Sequence, residues 1–352
     1  MRAIGRARGV LPPLSAPLLA WLGALVLAGC GAAASSAPPA PPTPGWHAAR
    51  SLPGARFEAY AATVGAQIFY LGGITGVPGD QTSARESDRV DVYDPAADAW
   101  RSGPSLPAGA ARHHLAVAVD GGRVYLLGGF TGIIGGADVA GRFLPNGQTW
   151  VLEGGVDGAW RRLADQPLVR GAATAQALGG RLLVVGGGSD EKGAFADLLV
   201  YDPATDRWTP GPPMPTAREH LASCAIGGRM LVVGGWSGDD RVTLAATESY
   251  DPASGRWSTL APMPTQRGGL GAAAIGEVCQ VVGGERWDRG LPGTFAVVER
   301  FDPARGAWSP APAMPTARHG IGVAAIGGQL YVVGGGPTMG NSYTDVVEVL
   351  AP

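Results

Sequence analysis

At 352 residues, 45% of them apolar, the chain can bury a sizeable core. Glycine (57) and proline (30) supply about a quarter of it and charged residues only 16%, which excludes a mainly helical protein because both residues break helix interiors. The formal net charge of −2 excludes a basic surface for nucleic acid, and three cysteines are too few for a disulfide scaffold. The chain opens on Arg2, Arg6 and Arg8, and no acidic residue precedes Glu58. An apolar stretch follows from Val10 to Gly29, interrupted by Pro12, Pro13 and Pro17 and closed by Leu27-Ala28-Gly29-Cys30. A basic start, an apolar middle and small residues before a cut are the parts of a secretory signal. Three prolines within a stretch of barely spanning length count against a transmembrane helix. Residues 31–45 are small, proline-rich and uncharged, the composition of an extended spacer.

The Leu27-Ala28-Gly29-Cys30 ending resembles the lipobox of bacterial lipoproteins. The resemblance implies cleavage before Cys30, acylation of its thiol and freed amine, and the stable anchoring that several acyl chains give. It predicts three segments: a signal peptide at 1–29, a lipidated cysteine and linker at 30–45, and a folded part at 46–352. Loss of the three arginines leaves an acidic folded part, so the lipid alone would hold the membrane. The implied address is a bacterial cell envelope, exported. In a Gram-negative host it would be the outer membrane, facing periplasm or surface, since Gly31 and not an aspartate follows the cysteine.

Beyond the linker, four series repeat with one period. Glycine doublets end apolar runs at 72–73, 128–129, 186–187, 234–235, 283–284 and 334–335. Tryptophan recurs at Trp46, Trp100, Trp160, Trp208, Trp257 and Trp308, and arginine at Arg56, Arg112, Arg170, Arg218, Arg267 and Arg318. Asp-Pro turns follow Tyr93, Tyr201, Tyr250 and Phe301. Each unit predicts four short strands. In the fourth, LASCAIGG and RMLVVGG form a hairpin over a Gly-Gly turn, followed by TESYDP and RWSTL. The doublet glycines are expected to leave room for the repeat's tryptophan. One such sheet buries too little alone, so neighbours must stack, and radial stacking gives a propeller.

The doublet, the aromatic-Asp-Pro turn, the tryptophan after it and the Met-Pro-x-x-Arg link (Met214, Met263, Met314) resemble the kelch repeat over 46–352. The implied fold is an all-β, six-bladed kelch-type β-propeller. Unit two departs most, with Leu152-Glu153-Gly154-Gly155 in place of the aromatic-Asp-Pro turn. Only 17 residues follow the last doublet, and they carry no tryptophan. The strand around Trp46 is therefore expected to close the last blade and remove an exposed edge.

A feature in every blade serves the fold, and one that varies on a single face can serve a ligand. By that test the six arginines are framework, bonding neighbouring loops, with room for one or two to be exposed. The residues after them vary: Phe57-Glu58, His113-His114, Gly171-Ala172, Glu219-His220, Gly268-Gly269 and His319-Gly320. The loops between second and third strands open on the same side and add Trp236, Asp239, Asp240 and Arg241, then Glu285, Arg286, Trp287, Asp288 and Arg289. Trp236 and Trp287 fall outside the framework series. The ligand-face candidates are Glu58, His113, His114, Glu219, His220, His319, Trp236, Arg241, Arg286 and Trp287. Tryptophan with mixed charge at a pocket mouth suits a sugar or a peptide segment. Sheets roughly 10 Å apart argue against three histidines reaching one ion, so no metal or cofactor is expected. Cys224, in an innermost strand, and Cys279, in the second strand of the next blade, are expected as separate buried thiols.

No common nucleotide-binding, hydrolase or metalloprotease motif occurs. The first reading is a lipid-anchored extracytoplasmic binding or scaffold protein for a protein or glycan partner, with the membrane reached through the lipid anchor only. The alternative is a periplasmic sugar-acting enzyme, since the layout also resembles the kelch-type N-acetylneuraminate epimerase, a mutarotase. Glu58, Glu219 and His220 would then be acid and base candidates. Galactose-oxidase-like copper chemistry is disfavoured, because neither Cys224 nor Cys279 lies on the expected binding face.

Overall fold

A computed structural model describes residues 45–77, 80–133, 142–189, 191–238, 242–287 and 293–352. The signal segment, Cys30 and the linker to residue 44 lie outside the described residues, as do Asp239, Asp240, Arg241, Asp288 and Arg289. The described residues form short strands and two 3-10 turns, with no α-helix.

Six antiparallel four-stranded ladders carry the fold, each running from an innermost strand outwards. In the fourth repeat the order is Ala222–Ile226, Arg229–Val233, Thr247–Asp251 and Arg256–Thr259, the strands expected from sequence. The second strands are near-continuous apolar runs (Gln67–Leu71, Arg229–Val233, Gln329–Val333) because both their faces are covered. The innermost strands use small residues, as in Gly271–Ile275 (GAAAI), where neighbouring strands crowd together. The departing turn of unit two still follows a full third strand, Thr149–Glu153. In the last sheet Gly45–Ala48 pairs antiparallel with Val347–Ala351, Trp46 opposite Leu350. The architecture is an all-β propeller.

The tryptophans do not occupy space left by the doublet glycines. Each packs on its own sheet, as Trp208 does on Tyr201 with centroids 5.0 Å apart, and donates its indole N–H to a carbonyl in the preceding connection. Trp100 donates to Arg50, Trp208 to Ala164 and Trp46 to Pro312, at 2.8–2.9 Å. The doublets have another cause. Both glycines have positive φ, and a Cβ on Gly234 would sit 2.7 Å from the carbonyl of Arg267 in the next repeat. The N–H of Gly235 donates to that same carbonyl at 2.9 Å. Gly335 repeats the bond to Arg56 at 2.8 Å.

All six framework arginines are buried, none left exposed. Four meet a carboxylate from a third strand: Arg56 with Asp91, Arg218 with Glu248 at 2.6 Å, Arg267 with Glu299 at 2.6 Å and Arg318 with Glu348 at 2.8 Å. The Met-Pro-Thr-x-Arg link explains itself here. Thr216, Thr265 and Thr316 donate to the second oxygen of the same glutamates, and Met214, Met263 and Met314 are buried beneath. Arg112 bonds Asn146 and Gln148 instead, and Arg170 the carbonyls of Gly186, Asp197 and Val184.

Cys224 and Cys279 are joined, against expectation, in a disulfide with Cα atoms 5.9 Å apart. Their placement on different strands of different repeats argued for separate thiols, but it does not keep them apart. Near the axis the innermost strand of one repeat comes within bridging distance of its neighbour's second strand.

Candidate functional site

Two positions after each framework arginine decide the chemistry. The second, Glu58, His114, Ala172, His220, Gly269 and Gly320, has φ between 49° and 61° in every repeat. Four non-glycine residues thus hold a conformation that L-residues seldom adopt. What over-determines it is a cycle of six backbone hydrogen bonds. His114 N–H donates to Glu58, Ala172 to His114, His220 to Ala172, Gly269 to His220, Gly320 to Gly269 and Glu58 to Gly320, at 2.8–3.2 Å.

The first position bridges the residue just after its doublet: Phe57 with Ile74, His113 with Phe130, Gly171 with Gly188, Glu219 with Trp236, Gly268 with Glu285 and His319 with Gly336. Bulk is exchanged between neighbours at this level. Phe130 occupies the space a Cβ on Gly171 would need, and Trp236 does the same over Gly268. Trp236 is therefore a buried residue at a repeated register position, 3% exposed, and its ring stacks on His220 with centroids 4.0 Å apart.

These positions enclose a cavity of about 290 Å³. It brings together Glu58, His114, Glu219, His220, Trp236, Trp287 and His319 from the sequence candidates. His113 is fully buried behind His114, Arg286 lies in the short strand Glu285–Arg286 beside the cavity lining, and Arg241 lies outside the described residues. Sequence reasoning missed Phe130, Phe143 and Asn341 and left Glu285 out of its candidates. For Phe130 and Glu285 the available signal was the residue directly after each doublet. Three glutamates line the cavity and, among the described lining residues, no lysine or arginine does. A further cavity of about 380 Å³ along the innermost strands is lined mainly by alanines and holds no ionisable side chain apart from the bridged Cys224. The charged and imidazole groups are concentrated in the smaller cavity.

Burial raises the Glu58 carboxyl to about 8, helped by the charge of Glu285 and opposed by the Tyr60 hydroxyl, which donates to it at 3.3 Å. At neutral pH Glu58 carries a proton. Burial also lowers His113 to about 4 and His319 to about 3, so both are neutral. Neutrality fixes tautomers. His113 Nε2 lies 2.8 Å from the carbonyl of Gly132 and must donate to it. His113 Nδ1 must then accept, and its partner is Nδ1 of His114. His114 thus spends its Nδ1–H on His113 and turns Nε2 toward Glu58, 3.5 Å from the carboxyl oxygen. Glu285 lies 3.6 Å from His319, and Glu219 3.8 Å from His220. The side chains of Glu58, His114 and His220 each offer an atom within 4.8 Å of the other two, so inward-pointing side chains at the second position overcome the sheet spacing that argued against such convergence.

Comparison with known proteins gives consistent relatives. The KLHDC2/KLHL20/DRC7 Kelch-repeats domain matches residues 157–335. Kelch-like protein terF of Aspergillus terreus (strain NIH 2624 / FGSC A1156) is 28% identical over 320 residues, covering 87% of this chain and 55% of that protein. Human Kelch repeat and BTB domain-containing protein 12 is 34% identical over 92 residues, covering 25% of this chain and 15% of that protein. The chain spans about half the length of the first of these relatives and less of the second. Among solved structures, the structure of YjhT aligns with a TM-score of 0.69 at 15% identity, covering 84% of this chain and 95% of that one. At that identity the likeness shows the fold alone.

Proposed function

The chain belongs to the kelch-repeat family, and from that premise we propose that it is an exported, lipid-anchored binding protein that receives one group of a glycan or protein partner in the cavity between its inner connections. The observation that carries this is the convergence of Phe57, Phe130, Phe143, Trp236 and Trp287 with three glutamates around about 290 Å³. Ligand pockets commonly measure about 300–1,000 Å³, so this one takes a monosaccharide unit or a single side chain. Rings give a sugar or a cation an apolar face, and Glu219 and Glu285 disfavour an anion. Saturation-transfer NMR against neutral glycans, sialylated glycans and lysine- or arginine-rich peptides tests this. Binding confined to the sialylated members would overturn the charge argument.

We read the six ladders as six blades of a ring closed by Gly45–Ala48. Supporting it are the pairing with Val347–Ala351, the Trp46 bond to Pro312 and the cycle of backbone bonds. The lipobox reading of Cys30 is part of the same proposal, and the Cys224–Cys279 bridge suits an oxidising compartment. Cys30→Ser should release the protein from membranes without detergent, and retention would refute the anchor.

A second reading, the sugar-acting enzyme, is favoured by one observation: Glu58, Glu219 and His220 all line the cavity, with Glu58 protonated at neutral pH. An acid and a base lining one cavity could open and reclose a sugar ring. The glutamates argue for a neutral sugar and against one bearing a carboxylate. Exchange between anomers of a bound sugar, seen in the same spectra, would favour the enzyme.

A further inference from the structure

We propose that Glu58, His114 and His220 form a binding site for a divalent first-row transition-metal ion, open on one side to the cavity. Two imidazoles and a carboxylate are the donor set such ions take. Their spacing fits. Metal–nitrogen and metal–oxygen bonds of about 2.0–2.2 Å at a tetrahedral centre put neighbouring donors about 3.4 Å apart. His114 Nε2 and a Glu58 oxygen lie 3.5 Å apart, and all three donors lie within 4.8 Å of one another. The two imidazoles meet edge to face, 79° apart with centroids at 4.8 Å.

His114 is also prepared for the role. A metal-bound histidine normally gives its other ring N–H to a fixed acceptor, which sets tautomer and orientation. His114 meets His113 through Nδ1, His113 is itself held at the Gly132 carbonyl, and Nε2 of His114 is thereby turned toward Glu58. The backbone of all three donors is held in the left-handed region by the cycle of hydrogen bonds, so the ion would meet positioned ligands. Gly320 adds a reason for its own presence: a Cβ there would sit 2.6 Å from Glu58 Oε1. Glu219 and Glu285 line the same cavity and make it hospitable to positive charge. Three protein donors leave at least one coordination position facing the cavity. A coordinating Glu58 carries no proton, so the ion and the reading of Glu58 as an acid exclude each other. The binding reading rests on the rings of the cavity and on Glu219 and Glu285, none of which the ion uses as a ligand.

The test is chelator-stripped protein dialysed against zinc sulfate, with bound metal measured by mass spectrometry and affinity by calorimetry. One zinc per chain is expected, with a rise in melting temperature. Asparagine tolerates the left-handed backbone these positions need, so His114→Asn and His220→Asn are the chosen variants. Each should weaken zinc by at least about tenfold, and His113→Phe, which removes no donor, by about 10–100-fold. His47→Ala, in the exposed part of the first strand, should change nothing. Should a variant melt early without metal, a zinc-edge anomalous map of wild-type crystals places the ion directly. Substoichiometric zinc in the wild type, or equal affinity in the His114→Asn/His220→Asn double variant, would overturn the proposal.

Discussion

The buried arginine–carboxylate pairs allow a sharp energetic test in the fourth repeat. Arg218 and Glu248 have side chains 0% and 2% exposed, with Nη1 and Oε2 2.6 Å apart. Removing the carboxylate in Glu248→Ala leaves the guanidinium with two carbonyl contacts, to Thr216 and Val232, both at 3.3 Å. Breaking a buried pair from one side costs about 3–5 kcal/mol, because the surviving charge is neither solvated nor paired. Arg170, which has no acid, shows what compensation without one requires: three carbonyls at 2.8–3.1 Å, closer than Arg218 can find. Replacing both partners in Arg218→Met/Glu248→Leu removes the charge with the need for it, and should return stability to within about 2 kcal/mol of wild type. Urea denaturation at constant m-value measures each midpoint. A Glu248→Ala cost below about 1 kcal/mol, or a double variant worse than the single, would refute the view that these pairs answer one another.

Trp46→Ala should cost about as much as Trp208→Ala, roughly 3 kcal/mol at the low end for a partly buried tryptophan, if the first strand completes a ring; a neutral Trp46→Ala in thermal melts would break that equivalence. Trp236→Ala should destabilise by a similar amount because the ring is buried against His220 and Gly268, whereas Trp287→Ala should leave the melting temperature unchanged and weaken only ligand binding. Replacing Cys224 and Cys279 by alanine opens a crosslink between residues 55 apart, for which chain entropy gives a loss of about 4 kcal/mol; an unchanged denaturation midpoint would show that the bridge constrains nothing. His319, with Glu285 3.6 Å away, is held at about 3 by burial, so the unfolded chain takes up the proton first. Its share of stability is present above about pH 6.5 and lost as pH falls toward 3, and His319→Gln should flatten that part of a stability–pH profile.

The repeat made most of the fold legible, because doublets, tryptophans and arginines occur wherever the same backbone event recurs. Their causes were less legible than their positions. Gly234 reads as space for a ring, yet its reason is a positive φ beside the carbonyl of Arg267. The arginines read as framework, but their partners Asp91, Glu248, Glu299 and Glu348 sit on a third strand some thirty residues later, where no local pattern ties acid to base. The disulfide was hidden for the same reason: Cys224 and Cys279 are 55 residues apart on strands of different repeats, and no local pattern ties them together. In the site, the variable residues after each arginine were visible as variable. Their left-handed backbone was not, since glutamate, histidine and alanine carry no signal for it.

That backbone joins the scaffold to the chemistry. A conformation natural to glycine recurs in all six repeats, but only Gly269 and Gly320 fill it with glycine. The cycle of six hydrogen bonds holds the others in it, so the constraint is collective and any single position is free to change its side chain. Ala172, Gly269 and Gly320 leave the centre open, while Glu58, His114 and His220 reach into it. A six-fold backbone thereby presents an asymmetric set of groups, and asymmetry is what a specific ligand needs. The same reasoning says where this family member can change its specificity at least cost to the fold: at the second residue after each arginine, and at the residue after each doublet that bridges the position beside it.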